Sequence, residues 1–109
     1  MVIKWTINAQ ENIRSIRDYL EGEKVHQDTI SEVIGDIINV PARLKEHPKS
    51  GRKLPELDQE NFREIFHNKY RIIYFLPEET PEIIYILNVI HGRQNIQPFL
   101  SHIWQRFLN

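Results

Sequence analysis

Three arginines and a histidine in the second half of this 109-residue chain could recognise an anion: Arg63, Arg71, His91 and Arg93. Arg63 and Arg71 hold the same parity in alternating segments on either side of a short connection, so they can project from one sheet face. Arg93 follows the next apolar run and could converge with them. A guanidinium fork matches the geometry of a carboxylate or a phosphate. The same alternation equally suits pairing with Glu64 and Glu82 on a polar outer face. A second cationic set, Lys45, His47, Lys49, Arg52 and Lys53, falls within nine residues that include one acid, Glu46. That loop could meet phosphates or an acidic protein, or simply keep a linker solvated. His67 and His91 lie near strand ends and could do acid–base chemistry with Tyr70 or Tyr85, or act as caps. His26, His47 and His102 have no such neighbour in sequence.

Other chemistries lack their residues. Cysteine is absent, which removes disulfides, thiolate metal sites and thiol nucleophiles. No histidine pair has metal-ligand spacing on one helix, and no local Ser/His/Asp set occurs. Gly22, Gly35, Gly51 and Gly92 are too dispersed to cradle a nucleotide. Neither a metal nor a cofactor is expected.

The elements that must position these side chains follow from apolar periodicity. Val2, Ile3, Trp5, Thr6 and Ile7 read as a strand. Asn8 with Glu11 three residues on resembles a capping box, and Ile13, Ile16 and Leu20 then recur at helical spacing until Gly22. A second helix opens near Lys24, with Ile30, Val33, Ile34, Ile37 and Ile38 on one stripe. Pro41 should kink or end it, with Arg43-Leu44-Lys45 as one further turn. Residues 47–57 are turn chemistry. Alternating residues 62–67 and 70–76 flank Asn68-Lys69, a tight connection. Ile83 to Ile90 is almost continuously apolar and reads as a central strand buried on both faces, with Arg63 and Arg71 marking its neighbours as more exposed. Ile96, Phe99, Leu100, Ile103, Trp104 and Phe107 return to helical spacing. Most of these should pack on the sheet, whereas Trp104 and Phe107 are candidates for a partner surface. The expected fold is α+β, β-α-α-β-β-β-α: a helical hairpin on one face of a mostly antiparallel four-stranded sheet, one domain over residues 1–109.

Fourteen Lys and Arg against fifteen Asp and Glu give a formal net charge of −1. That balance argues against a protein holding nucleic acid by global positive charge. Residues 1–60 carry nine basic and eleven acidic side chains, and residues 61–109 carry five and four. There is room for one small recognition cluster and little for a broad cationic surface. The N-terminus lacks the apolar core of a signal peptide and no run approaches the length of a membrane span, so the cytoplasm is the expected compartment and no membrane partner is expected.

In combination, Gly51-Arg52-Lys53-Leu54-Pro55-Glu56-Leu57, Phe62-Arg63-Glu64-Ile65, Tyr70-Arg71-Ile72-Ile73-Tyr74 and Ile86-Leu87-Asn88-Val89-Ile90-His91-Gly92-Arg93 resemble the RelE/ParE toxin superfamily of type II toxin–antitoxin systems. The resemblance covers nearly the whole chain. It implies a toxin neutralised by a cognate antitoxin in a hetero-oligomer, with growth inhibition and plasmid stabilisation as its setting. One fold carries two activities there. RelE-like members cleave mRNA on the ribosome, which would assign catalysis to Arg71, Arg93 and His91; ParE-like members are not enzymes and inhibit DNA gyrase. A third outcome is a non-toxic module that only binds its antitoxin. The near-neutral charge, Phe99 in a segment where a nuclease usually carries a tyrosine, and Gln94 in place of a second arginine favour the ParE-like activity. Target or partner recognition would then fall to Arg63, Arg71, His91, Arg93, Trp104 and Phe107, beside the basic loop of Lys49, Arg52 and Lys53.

Overall fold

Thr6 decides where the first helix starts. In the computed structural model, which describes residues 1–101 and Trp104, its backbone is extended and its hydroxyl accepts from the Ala9 amide at 3.1 Å. Strand β1 is therefore Val2–Trp5 and helix α1 is Ile7–Gly22. Asn8 is not the cap, and Ile7 is a helical residue left 73% exposed. Thr6 outcompetes Asn8 because its hydroxyl also donates to the Ile86 carbonyl at 3.0 Å, joining the helix start to the sheet. The turn after α1 passes through Lys24 at φ 59° rather than through Gly22. Helix α2, Gln27–Asn39, begins after His26, whose ring accepts from the Asp28 amide at 3.1 Å. Pro41 then sets a 3₁₀ turn over Val40–Lys45, as its missing N–H predicts.

The strands are β2 (Arg52–Lys53), β3 (Phe62–His67), β4 (Tyr70–Phe75) and β5 (Ile83–His91), followed by a short helix α3 (Gln97–Ser101). Among the described residues the sheet has five strands, not four, in the order β1-β5-β4-β3-β2. The extra one is β2, two residues long and paired antiparallel with β3, too short for periodicity to mark. β1 runs parallel to β5; β3–β4 and β4–β5 are antiparallel. Asn68 makes the tight β3–β4 connection at φ 52°, a left-handed value that asparagine tolerates. No helix among the described residues is long and apolar enough to cross a membrane.

Both faces of the sheet are covered. One packs Ile65, Ile72, Tyr74, Ile84, Ile86 and Val89 against Ala9, Ile37 and Leu44 from the helical side. The other packs Phe62, Ile73, Leu87 and Ile90 beneath Leu54, Ile96 and Trp104. β5 is thus the doubly buried central strand its composition suggested. Its register against β4 slips between Ile73 and Tyr74, leaving Leu87 as a bulge. Past Ile86, where β1 ends, the open edge of β5 is met by α1. Asn8 donates to the Leu87 carbonyl at 3.0 Å, and Asn12 accepts from the Val89 amide at 3.0 Å.

Candidate functional site

Register separates the arginines that parity had grouped. Arg63 stands opposite Tyr74, whereas Arg71 stands opposite Phe66. Directly opposed residues share a face, so the two arginines leave the sheet on opposite sides. Counting parity along the chain fails here because the two-residue connection sets which residues of β3 and β4 face each other.

Arg63 serves the loop before β3. Its Nη1 donates to the Gly51 carbonyl at 2.9 Å and its Nη2 to Glu60 at 2.5 Å. The Tyr74 hydroxyl lies beside this loop, accepting from the Gly51 amide at 3.0 Å and donating to the Pro48 carbonyl at 2.7 Å. Burial raises the Tyr74 phenol above its ordinary pKa. Gly51 is fixed by proximity: a Cβ there would lie 2.5 Å from the Tyr74 oxygen and 2.6 Å from the Glu64 carbonyl. Gly51→Ala should therefore lower the unfolding free energy by about 2–3 kcal/mol in urea titrations, since backbone cannot yield as a flexible side chain would.

Arg71 is 5% exposed, not on a solvated face. Its Nε donates to Glu64 Oε1 at 2.7 Å, and its two terminal nitrogens grip both oxygens of Glu56 at 3.0 and 3.1 Å. The Arg52 side chain closes on the other Glu64 oxygen and lies over the Phe66 ring, 5.5 Å from its centre. Two guanidinium groups and two carboxylates thus neutralise one another. Burial would lower the Arg71 pKa, but the hydrogen bonds it donates to Glu56 and Glu64 outweigh it, so the group stays charged. Pairing with Glu64 is the alternative that the sequence offers for these arginines, and Arg71 takes it, since a buried carboxylate requires a partner. Glu56 comes from an irregular loop and carries no periodic signal.

The Arg71 hydrogen bonds above all, against the opposing effect of burial, hold the Glu56 carboxyl below its ordinary pKa of 4.5. A carboxylate with a depressed folded pKa gives stability that is complete above the unfolded value and is lost as pH falls through the folded one. Stability should hold from neutrality to about pH 5 and decline below pH 4.5. Glu56→Gln should flatten that acid limb in denaturant titrations run at a series of pH values.

His91, the last residue of β5, and Arg93, just past it, are exposed, and His91 Nδ1 accepts from the Arg93 amide at 3.2 Å. With Phe66, Asn68, Lys69 and Gly92 they line a depression of about 440 Å³. Arg93 thus shares a site with Lys69 and not with the fork of Arg71. His67, Tyr70 and His91 do form one cross-strand row at this end. Burial raises the Tyr70 phenol, however, and His67 turns toward Asp36 at 4.0 Å.

The basic loop is not one cationic surface. Arg52 turns to Glu64 and Lys53 to Asp58 at 2.9 Å, while Lys49 and His47 line an open cleft with Glu46, Glu60 and Glu78. Trp104, expected at a partner surface, is fully buried. It stacks on Phe62 with centroids 5.6 Å apart, and its indole donates to Asn88 Oδ1 at 2.6 Å. The Asn88 amide nitrogen in turn donates to Asn12 at 3.3 Å, so one polar chain links α1 to the segment covering the far face. Phe107 lies outside the described residues.

Comparison with known proteins decides among families sharing this layout. The family model for the ParE toxin of type II parDE toxin–antitoxin systems matches residues 3–96. The chain belongs to the ParE toxin family. As a ParE-family toxin it shares its fold with the chromosomal ParDE toxin–antitoxin system of P. aeruginosa. That match has a TM-score of 0.67 at 17% identity, over 84% of this chain and 95% of that one. A chain of the RelBE2 toxin–antitoxin complex of Mycobacterium tuberculosis is also similar, with a TM-score of 0.50 at 17% identity, over 83% of this chain and 95% of that one. A search of curated protein sequences gave no match. For a ParE-family chain, the internal pairing of Arg71 is what bears on mechanism. An arginine clamped by two carboxylates of its own fold holds a loop to a sheet, and gives up that pairing before it can bind anything else.

Proposed function

We propose that this toxin acts by binding DNA gyrase and is neutralised by a cognate antitoxin, not by cutting mRNA. One observation supports this reading above the rest: the Arg71 guanidinium is bound to Glu56 and Glu64 on a face covered by the chain's own Leu54, Ile96 and Trp104. A nuclease needs cations free to stabilise a phosphate in its transition state. Here the central fork is engaged and its surroundings are filled. The net charge of −1 points the same way, because ribosome binding draws on broad positive charge. Membership of a two-component family supports an antitoxin partner, and a non-toxic, purely antitoxin-binding module is the quieter alternative within it.

The cross-strand row of His67, Tyr70 and His91 beside Lys69 and Arg93 supplies a ribonuclease reading with its best groups. Induction without the antitoxin separates these readings. The gyrase reading expects growth arrest, chromosome breaks and a DNA-damage response, with mRNA 5′ ends unchanged. Intact chromosomes with new mRNA ends inside codons would replace it with the ribonuclease reading. Harmless expression would leave only the binding module.

A further inference from the structure

The depression at the β3–β4 end of the sheet holds charges that nothing in the described fold neutralises. Lys69 and Arg93 are exposed, and among the described residues neither has a carboxylate within 4 Å. The acids that might have served are engaged: Glu56 and Glu64 with Arg71 and Arg52, and Asp36 with His67. Lys69 Nζ rests 5.8 Å from the Tyr70 ring centre, a contact that leaves its charge uncompensated. His91 accepts from the Arg93 amide through Nδ1, so its neutral form carries the proton on Nε2 as a donor. Between these groups lies Phe66, 46% exposed. Gly92 lines the depression beside the Phe66 ring and the Arg71 stem.

We infer that this depression binds an acidic segment of a protein partner, in which carboxylates flank a large apolar side chain. Carboxylates meet Lys69, Arg93 and the His91 donor, and the apolar group covers Phe66. Charge complementarity selects this occupant. A nucleic acid fits less well, because two cations on a chain of net charge −1 give a polyanion little to hold. The site goes beyond the gyrase reading and stands whichever target the toxin has.

The test uses the full chain and three probes: a synthetic acidic peptide with glutamates around a central Leu-Phe pair, its all-glutamine analogue, and an oligouridylate of equal length. Amide NMR shifts should move at Phe66, Lys69, Gly92 and Arg93 with the acidic peptide, and less as salt is raised. Affinity should fall about tenfold with the glutamine analogue, and about tenfold in the Lys69→Glu, Arg93→Glu double variant at unchanged Tm. If the double variant is less stable, Lys69→Gln and Arg93→Gln singly should each show part of the loss. The inference is overturned by shifts confined elsewhere, by peptide binding indifferent to these substitutions, or by no binding at ~1 mM peptide. Tighter binding of the oligouridylate than of the acidic peptide would overturn it too, making the surface one for nucleic acid. Failure here leaves the gyrase assay untouched, so the two proposals fail separately.

Discussion

Arg71→Ala should lower the unfolding free energy by about 3–5 kcal/mol, measured by urea or guanidinium titration at neutral pH. The size comes from what is left behind. Glu64 is 1% exposed, and without Arg71 it keeps Arg52 alone as its cationic partner, on one oxygen only. Glu56 loses both of its hydrogen bonds and with them the hold of its loop on the sheet. Removing one member of a buried ion pair costs far more than the pair itself contributes, because the orphaned charge has no water to solvate it. Arg71→Met with Glu64→Met should recover much of the loss, since an apolar pair of similar volume leaves no buried charge at either site. A cost under 1 kcal/mol for the alanine variant would mean that the network is solvated and the arginine free.

Trp104→Ala should cost about 3–5 kcal/mol by the same measurement. The indole fills space against Phe62 and Phe99, and its loss uncovers a face that includes Ile73, Leu87 and Ile90. Binding of a hydrophobic dye should rise with it. Trp104→Phe isolates the polar part: it keeps most of the packing but leaves Asn88 Oδ1 without its donor, at a cost of about 1–3 kcal/mol. If Trp104→Ala were nearly neutral, the residues after β5 would not be the cover of this face.

These two residues also mark where the sequence could and could not be read. The tail around Trp104 was visible as helically spaced apolar residues, and packing on the sheet was the reading for most of them. Trp104, a candidate for a partner surface on sequence alone, is buried instead, and its partner Asn88 sits in an apolar strand where a single polar residue gives no hint of what it bonds. The helices, their order and the doubly buried β5 were legible because apolar periodicity reports burial directly. β2 was not, since two residues carry no period. The grouping of Arg63 with Arg71 fails on a register that periodicity leaves open; Glu64 is legible as a partner for the sheet arginines, whereas Glu56, in a loop far from Arg71 in sequence, is not. The resemblance to the RelE/ParE superfamily rested on strings around β2–β5, and the family match over residues 3–96 agrees with it. In Gly51, Tyr74, Arg71 and Glu64, those strings carry residues whose visible work is to hold the loop before β3 against the sheet.

The gyrase reading is tested most directly in a purified system: this toxin, DNA gyrase, relaxed plasmid and ATP, with products resolved after detergent and protease treatment. The account predicts loss of supercoiling and accumulation of linear plasmid released from covalent gyrase complexes, both abolished by stoichiometric cognate antitoxin. Unimpaired supercoiling, together with cleavage of mRNA on translating ribosomes by the same preparation, would contradict it.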